Sequence, residues 1–315
     1  MKLNNLNKIL FGCVILFIVS FQSINAQAFL FKVIASSGNA AFLRPASGTW
    51  VNIKTGDLIL TGYKLKLESG DYLGLINKNG RSIEVKQAGT YSGDELNKNI
   101  PKGSTNLQKF ADFVMNESVA NKKKTDNMKN LGAVVRARVG LIESSFPDNT
   151  DLLNLQLEPA WYSAGPGTIY VFKILNPLGR SIFIKETKDT SLAINLKQFD
   201  MLEDQDYQWC VVNSRDPENN SDTASFRILS ENNIKIISDS IKMFQQNLDL
   251  NSAVGQFLLI KYYESKNLNL DALKGYESLV NSYPGIENYS DNYLLFLTKQ
   301  GLSKKAETLL STIKK

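Results

Sequence analysis

The sequence predicts a multidomain chain in which two all-β units precede a helical C-terminal region. In residues 27–99 and again in residues 151–230, apolar and polar side chains alternate with a period of two, as in half-buried strands. Glycine and proline separate these short runs at intervals typical of turns. From about residue 231 the apolar positions recur at helical spacing instead.

Residues 1–26 have the pattern of a secretory signal peptide. Lys2 and Lys8 precede an apolar run over residues 9–21, and Ala26 is the small residue before the expected cut. The run is shorter than the roughly 20 residues of a membrane span. Because the run continues past Cys13, this cysteine is interpreted as part of the signal core and not as a lipidated cysteine. We therefore expect an exported protein, periplasmic or associated with the cell surface or outer membrane, with no transmembrane span after cleavage.

The composition excludes several classes of function. The chain contains no histidine, which removes Ser-His-Asp and Cys-His catalysis and the usual zinc sites. Its 36 basic and 31 acidic residues nearly balance, so no nucleic-acid partner is expected. Cys210, alone after signal removal, is predicted to be a buried strand thiol. We expect no catalytic residue, no cofactor and no metal, and hence a non-enzymatic protein.

Residues 27–99 are predicted to form an all-β sandwich or barrel-like unit, with a turn at residues 77–80. The series Trp50, Ile53, Gly56-Asp57, continuing through evenly spaced leucines and glycines to Gly89, resembles the FecR-like domain of bacterial envelope proteins. That resemblance implies a non-catalytic module outside the cytoplasm. The cytoplasmic anti-sigma segment and membrane span of the full regulator are missing, so anti-sigma function is not expected.

Residues 100–150 are predicted to be a helical connector and linker. Ser104 or Thr105 can cap a helix on which Phe110 and Val114 share one face. The lysine-rich stretch 121–130 is expected to be exposed, and residues 131–137 are strand-like. We expect the connector to dock on one of the β domains.

Residues 151–230 are predicted to form a β-sandwich, with a break at Asp216-Pro217. The candidate strands are residues 153–157, 168–175, 181–185, 192–196, 207–212 and 224–229. The run from Tyr207 through Trp209 to Val211 resembles a strand of fibronectin type III-like and immunoglobulin-like domains, which implies their sandwich fold.

Residues 231–315 are predicted to contain about five helices, including a lead-in helix over 234–248. Ala272 and Ala306 are 34 residues apart, Pro284 can end a helix, and Gly301 can form a turn. This spacing resembles a degenerate tetratricopeptide-like array of helical hairpins, and the resemblance implies protein binding. A set of tyrosines could line a groove for a partner: Tyr262, Tyr276, Tyr283, Tyr289 and Tyr293.

Other polar clusters have simpler interpretations. Residues 216–222 space their oxygens like a calcium loop, but Ser221 and Arg227 stand where such a loop needs Gly and Glu, so a polar hairpin loop is favoured. The acidic cluster at residues 200–206 is interpreted as a solvated loop. Trp161 and Tyr162 could stack on a sugar, although packing is the commoner role.

Together these patterns predict an exported, non-enzymatic scaffold or adaptor of the bacterial envelope that binds another envelope protein through its C-terminal helices. The alternative is a module that binds peptidoglycan or another glycan through the FecR-like domain. A hydrolase built on a carboxylate pair is a third, weaker hypothesis, because no catalytic motif supports it.

Overall fold

The computed structural model describes residues 29–98, 100, 109, 110, 112–114, 117, 125 and 142–313. The predicted signal peptide, the lysines at 122–124 and the strand-like piece at 131–137 lie outside the described residues. The predicted architecture of β-rich regions followed by a helical region is confirmed. Among the described helices, none is both long and apolar enough to cross a membrane.

The first β domain consists of two four-stranded antiparallel sheets packed face to face. One sheet has the order β4-β1-β6-β7, formed by β1 (Phe29–Ser37), β4 (Leu58–Leu60), β6 (Tyr72–Asn77) and β7 (Ser82–Val85). The other has the order β3-β2-β5-β8, formed by β2 (Ala41–Leu43), β3 (Trp50–Asn52), β5 (Lys64–Leu67) and β8 (Gly89–Ser92). A short helix, α1 (Gly93–Lys98), follows. Phe31, Val33, Leu65 and Leu75 fill the space between the sheets.

Two turns explain the most conspicuous part of the sequence. In the predicted turn at residues 77–80, the Asn77 side chain accepts from the amides of Asn79 and Arg81, at 2.9 and 3.0 Å. Gly56 has φ +95° and donates its amide to the carbonyl of Val33. Glycine is favoured there because a side chain strains this backbone conformation. The glycine spacing therefore marks real turns between strands.

The middle domain has one large sheet and a small two-stranded one. The large sheet has the order β12-β11-β14-β16-β9, with β15 paired to β14, and β10 pairs with β13. The strands are β9 (Thr150–Leu152), β10 (Gln156–Leu157), β11 (Tyr170–Leu175), β12 (Ser181–Thr187), β13 (Ile194–Asn195), β14 (Asp206–Asn213), β15 (Asp216–Asn220) and β16 (Ala224–Ile228). Trp161, Phe172 and Trp209 form an aromatic core.

Two expectations for the middle domain are corrected. The break expected at Asp216-Pro217 is instead the start of β15, which forms a hairpin with β14. Pro217 is tolerated because β15 pairs on one side only, so its missing N–H costs no ladder bond. The strand expected at 153–157 is confined to β10 at residues 156–157, which pairs with β13, and a separate strand, β9, precedes it and runs parallel to β16. The chain turns between them where Asn154 accepts from the amide of Gln156, at 2.9 Å.

Over its described residues, 231–313, the helical domain contains five helices, as predicted. They are α2 (Glu231–Asn247), α3 (Ala253–Ser265), α4 (Asn269–Ser282), α5 (Glu287–Lys299) and α6 (Ser303–Ile313). Pro284 follows the end of α4, and Gly301 turns between α5 and α6 with φ +69°. Ala272 and Ala306 are both buried, as close helix packing requires.

The helical domain is packed against both β domains. Its apolar core continues into the first β domain, where Ile34, Tyr72 and Ile76 join Val254 and Phe257 in one buried cluster. At the middle domain Leu270 packs on the apolar core, and hydrogen bonds join the two domains. The amide of Asp151 donates to the carbonyl of Asn267 at 2.8 Å, Asn269 Nδ2 donates to the carbonyl of Asn149 at 2.8 Å, and the Leu270 amide donates to Thr150 Oγ1 at 3.1 Å.

The described residues of the connector pack mainly on the helices, which differs from the expected docking on a β domain. These residues, 109, 110, 112–114, 117 and 125, are helical. The Phe110 ring packs edge-on against Phe244 and Tyr262, with centroids 5.2 and 5.9 Å away. These two rings form an apolar surface on α2 and α3 that suits an aromatic side chain. The contact with the first β domain is an ion pair, with Asp112 2.7 Å from Lys32 Nζ.

Candidate functional site

A polar cleft of about 490 Å³ lies where the first β domain meets α5. Its walls come from the end of β1 and the residue after it, from the loop after β3, and from the start of α5 together with Gly285 in the preceding turn. The lining residues are Ser36, Ser37, Gly38, Ile53, Lys54, Thr55, Gly285, Glu287, Asn288 and Asp291. Clefts at domain junctions are common binding sites, so this cleft is the candidate site of the described chain.

The β side of the cleft is fixed by Asp71. Its carboxylate accepts from the amides of Asn39 and Glu68, at 2.8 and 2.7 Å. Gly38, at the cleft wall, has φ +83°, and a Cβ there would lie 2.0 Å from Asp71 Oδ1. The chain therefore needs glycine at this position to turn tightly around the carboxylate.

The loop that carries Lys54 is held by the Gly-Asp motif of the sequence. The Lys54 amide donates to Asp57 Oδ2 at 2.8 Å. The Val33 amide donates to the Asp57 carbonyl at 2.9 Å, which ties the loop to β1. The motif thus has a structural role, because it places Lys54 and Thr55 beside the cleft.

The helical side of the cleft is fixed by Asn288, which is buried. Its Nδ2 donates to the carbonyl of Ile34 at 2.9 Å, and its carbonyl and side-chain oxygen both accept from Asn292 Nδ2. Ser37 Oγ donates to the Gly285 carbonyl at 3.3 Å. These bonds cross the domain junction, so the two walls of the cleft are held together.

The cleft offers hydrogen-bonding groups of both kinds. Lys54 provides an ammonium, Glu287 provides a carboxylate, and Ser36 and Thr55 provide hydroxyls, whereas the Asp291 side chain is buried in the wall. Such a surface suits a polar, uncharged or zwitterionic ligand. Within the described residues, no cluster of three or more His, Cys, Asp or Glu side chains could hold a metal ion.

A second polar group, centred on Tyr72, connects the same two domains in the buried interface. Tyr72 Oη donates to Glu84 Oε1 at 2.7 Å and lies 3.0 Å from Tyr289 Oη. Glu84 also accepts from the Val254 amide at 3.2 Å and pairs with Lys86 at 2.6 Å. Burial raises the pKa of Tyr72 far above its ordinary value, and Tyr289 and Glu84 raise it further. The phenol is therefore neutral and acts as a donor.

Four of the five tyrosines predicted to line a partner groove are buried within the chain, which corrects that expectation. Tyr289 contacts the first β domain through Tyr72, and Tyr262 packs on Phe244 with centroids 4.8 Å apart. Tyr276 Oη donates to Glu264 at 2.5 Å, and its ring stacks on Tyr293 at 5.4 Å. The reason is that these large rings fill the spaces between helices.

Tyr283 is the member of the set that keeps an accessible face. Its hydroxyl donates to the Asn251 carbonyl at 3.0 Å, and Lys86 Nζ lies 5.1 Å from the ring centroid. It therefore also faces the junction of the helical and first β domains. Neither this residue nor the others of the set lines the cleft.

The other candidate residues from the sequence have structural roles. Trp161 is in the core of the middle domain, and Lys304 lies 4.7 Å from the Tyr162 ring centroid. In the acidic loop, Asp204 accepts from the Ser230 amide at 3.1 Å, and this bond lowers the pKa of Asp204. Cys210 lies on β14, half-buried, and burial raises the pKa of its thiol, so the thiolate is disfavoured.

Sequence reasoning missed the cleft residues Lys54, Asn288 and Asp291. The Gly56-Asp57 pair indicated a fixed loop near Lys54, but the partner wall comes from residues more than 200 positions later. The polar run from Asn288 to Asn292 on a helix was a usable signal, because buried polar side chains on a helix usually make specific contacts.

Comparisons with known proteins assign no family to the chain. No protein-family model matches it, and no curated protein matches it significantly. Among solved structures it is similar to fibronectin(III)-like modules of Clostridium thermocellum CbhA, at 10% identity over 66% of this chain and 81% of that one, with a TM-score of 0.20. It is also similar to the FN1–FN3 domains of chicken CNTN1, at 10% identity over 65% of this chain and 58% of that one, with a TM-score of 0.20. These TM-scores are too low to support a fold assignment, so the sandwich assignment rests on the sheet topology.

Proposed function

We propose that this chain is an exported, non-enzymatic scaffold protein of the bacterial envelope, in which the helical domain holds two β domains in a fixed arrangement. The observation that carries the proposal is the packing of the helical domain on both β domains. Val254 and Phe257 share a buried cluster with β1 and β6, and Asn269 bonds to the middle domain. An internal connection of this kind suits a protein that positions other molecules.

The resemblance of each domain to a known family is part of the same proposal. We assign the first β domain to a FecR-like module because its glycine turns and Gly-Asp loop support that pattern. We assign the middle domain to the fibronectin III or immunoglobulin type because Tyr207 and Trp209 point into its core. The buried pair Ala272 and Ala306, at a 34-residue interval, supports a tetratricopeptide-like helical region.

The partner is another envelope protein, and we place its docking surface on the first β domain. The predicted groove tyrosines are used internally, which leaves Ile236 as the one strongly exposed large apolar side chain of the described helical domain. Trp50 and Val51, by contrast, are adjacent on the edge strand β3 and are 37% and 41% exposed. Exposed tryptophan at an edge is a frequent anchor of protein interfaces.

Crosslinking and affinity capture from envelope fractions test this function. The complete chain is compared with a Trp50→Ala/Val51→Lys double variant and with Ile236→Lys as a matched surface control. We expect the β3 double variant to lose its specific partners while the control keeps them. Loss in the control alone moves the docking surface to the helices, and the absence of any specific partner contradicts the scaffold function.

The second candidate function is binding of peptidoglycan or another glycan in the cleft. The observation that favours it is the lining of hydroxyl, carboxylate and ammonium groups around Lys54 and Glu287. Sedimentation with purified peptidoglycan tests it, with Lys54→Glu as the site variant and the exposed Lys66→Glu as control. Wild-type protein that stays in the supernatant contradicts this function, as does a Lys54→Glu variant that binds like wild type.

A further inference from the structure

The connector places a helix on a surface formed by α2 and α3. The described residues of this connector helix are 109, 110, 112–114 and 117, and all of them are helical. Phe110 and Val114 belong to the apolar cluster that contains Phe244 of α2 and Tyr262 of α3, and Val114 is completely buried. Together with Lys261, the residues Phe244 and Tyr262 define the α2–α3 site. One amphipathic helix therefore already occupies this site within the chain.

The anchors of the connector helix have the spacing of a helix that binds in a groove. Phe110, Val114 and Glu117 stand at positions i, i+4 and i+7, so they share one face of the helix. The Phe110 ring packs on two aromatic rings, and Glu117 Oε1 accepts from Lys261 Nζ at 3.1 Å. An aromatic, an aliphatic and an acidic anchor at this spacing are the means by which a helix of one protein binds a groove on another.

Contacts within the helical domain hold the α2–α3 site in place. The rings of Phe244 and Tyr262 pack on each other with centroids 4.8 Å apart. Lys261 Nζ, on a side chain that is only 3% exposed, also donates to Glu264 at 2.8 Å, and Glu264 accepts from Tyr276 at 2.5 Å. Lys261 therefore keeps one carboxylate partner when Glu117 leaves, and its ammonium stays placed to bind another carboxylate.

The connector helix does not satisfy this site completely. The Tyr262 hydroxyl is buried and, among the described residues, has no hydrogen-bond partner, which is destabilising for a buried donor. The tie of the connector helix to the first β domain is the ion pair of Asp112 with Lys32, and the Asp112 side chain is 43% exposed, where salt screens the attraction. A different helix that offers an acceptor to Tyr262 can therefore bind the site better than the connector helix does.

We propose that the α2–α3 site binds an amphipathic helix of a partner protein, and that the connector helix is its tethered competitor. The partner helix carries an aromatic residue, an aliphatic residue four positions later and a carboxylate seven positions later, because the site supplies aromatic rings, an apolar wall and a buried ammonium. A tethered helix has a high effective concentration, so the partner binds only the fraction of molecules in which the connector helix has left the site. The inference is independent of the docking surface proposed on β3.

A fluorescein-labelled peptide of residues 104–121 is the probe, and fluorescence anisotropy measures its binding to the complete chain. The chain is compared as wild type, as the release variant Phe110→Ala/Glu117→Gln, and as Lys109→Ala, a matched control at an exposed position of the connector helix. We expect the peptide to bind the release variant roughly tenfold or more tightly than wild type and control, because the tethered competitor is weakened. A peptide with the same two substitutions should bind none of the three proteins.

A charge exchange between Asp112 and Lys32 locates the bound peptide. An Asp112→Lys peptide should bind the release variant more weakly than the unmodified peptide does, and Lys32→Glu in the release variant should restore its binding. Equal peptide binding to wild type and release variant overturns the inference, as does binding to neither folded protein or a charge exchange without recovery. Circular dichroism checks folding, and Glu117→Gln alone replaces the release variant if the double substitution unfolds the chain.

Discussion

Replacing Tyr72 with Phe removes the central hydroxyl between the first β domain and the helical domain. Tyr72 has one proton, and it is donated to the Glu84 carboxylate at 2.7 Å, so Tyr289 must donate its own proton to Tyr72 Oη. The Tyr72→Phe substitution therefore removes a charge-assisted bond of about 1.5–3 kcal/mol and leaves the buried Tyr289 hydroxyl without its acceptor. We expect the free energy of unfolding to fall by about 2–4 kcal/mol.

The partner substitution is expected to be milder. Tyr289→Phe removes a donor but leaves the Tyr72–Glu84 bond in place, so the expected loss is about 1 kcal/mol. The double variant no longer contains the stranded Tyr289 hydroxyl, and we expect it to be no less stable than Tyr72→Phe alone. The two substitutions therefore act less than additively.

Urea denaturation followed by far-ultraviolet circular dichroism measures these differences. The dichroism reports mainly the helices, whose packing on β1 and β6 the substitutions weaken. Two results would refute the reasoning: a Tyr289→Phe variant that is as destabilised as Tyr72→Phe, or a double variant whose loss equals the sum of the single losses.

Three further predictions concern the same framework. Gly38→Ala should lower the free energy of unfolding by about 2–4 kcal/mol, because it combines about 1–2 kcal/mol of positive-φ strain with displacement of the Asp71 carboxylate. Gly70 also has positive φ, at +89°, but a Cβ there would meet open space. Thermal denaturation of Gly70→Ala should therefore show a loss of stability of only about 1–2 kcal/mol. Lys261→Ala should cost about 1.5–3 kcal/mol in urea denaturation, because it removes the buried ammonium that bonds Glu117 and Glu264 at 3.1 and 2.8 Å, and Lys261→Arg should recover part of it. Above about pH 10, where unfolded tyrosine ionises, the stability of the chain should fall with rising pH because the folded-state pKa of Tyr72 is raised. The fall should be shallower in Tyr72→Phe, and an equal slope of stability against pH in both proteins would contradict this.

The sequence predicted the first β domain well because its glycines carry local information. Gly56, Gly62 and Gly80 all have positive φ, and each marks a turn that its neighbours could not form as easily. The five helices were likewise predictable, since helical periodicity, Pro284 and Gly301 are all local signals. The sequence prediction was wrong where a proline lies on a strand that pairs on one side only, as Pro217 does in β15.

The docking of the helical domain was not predictable in the same way. In β6, Leu73 and Leu75 face the sandwich core, while Tyr72 and Ile76 face the helices, so both sides of the strand are buried. A strand that is apolar on both faces signals a second covering layer. It does not say which segment supplies that layer, because the covering residues, such as Val254, lie far away in sequence.

Gly74 shows how closely the two domains approach. A Cβ at this position would lie 2.6 Å from Val254 Cγ2, so the absence of a side chain lets α3 contact the backbone of β6. The same face carries Tyr72, whose hydroxyl needs Glu84 and Tyr289 as partners. Close backbone approach and a satisfied polar group both depend on one relative position of the domains. The interface therefore specifies a single arrangement, which the proposed scaffold role requires and which lets two polar walls form one cleft.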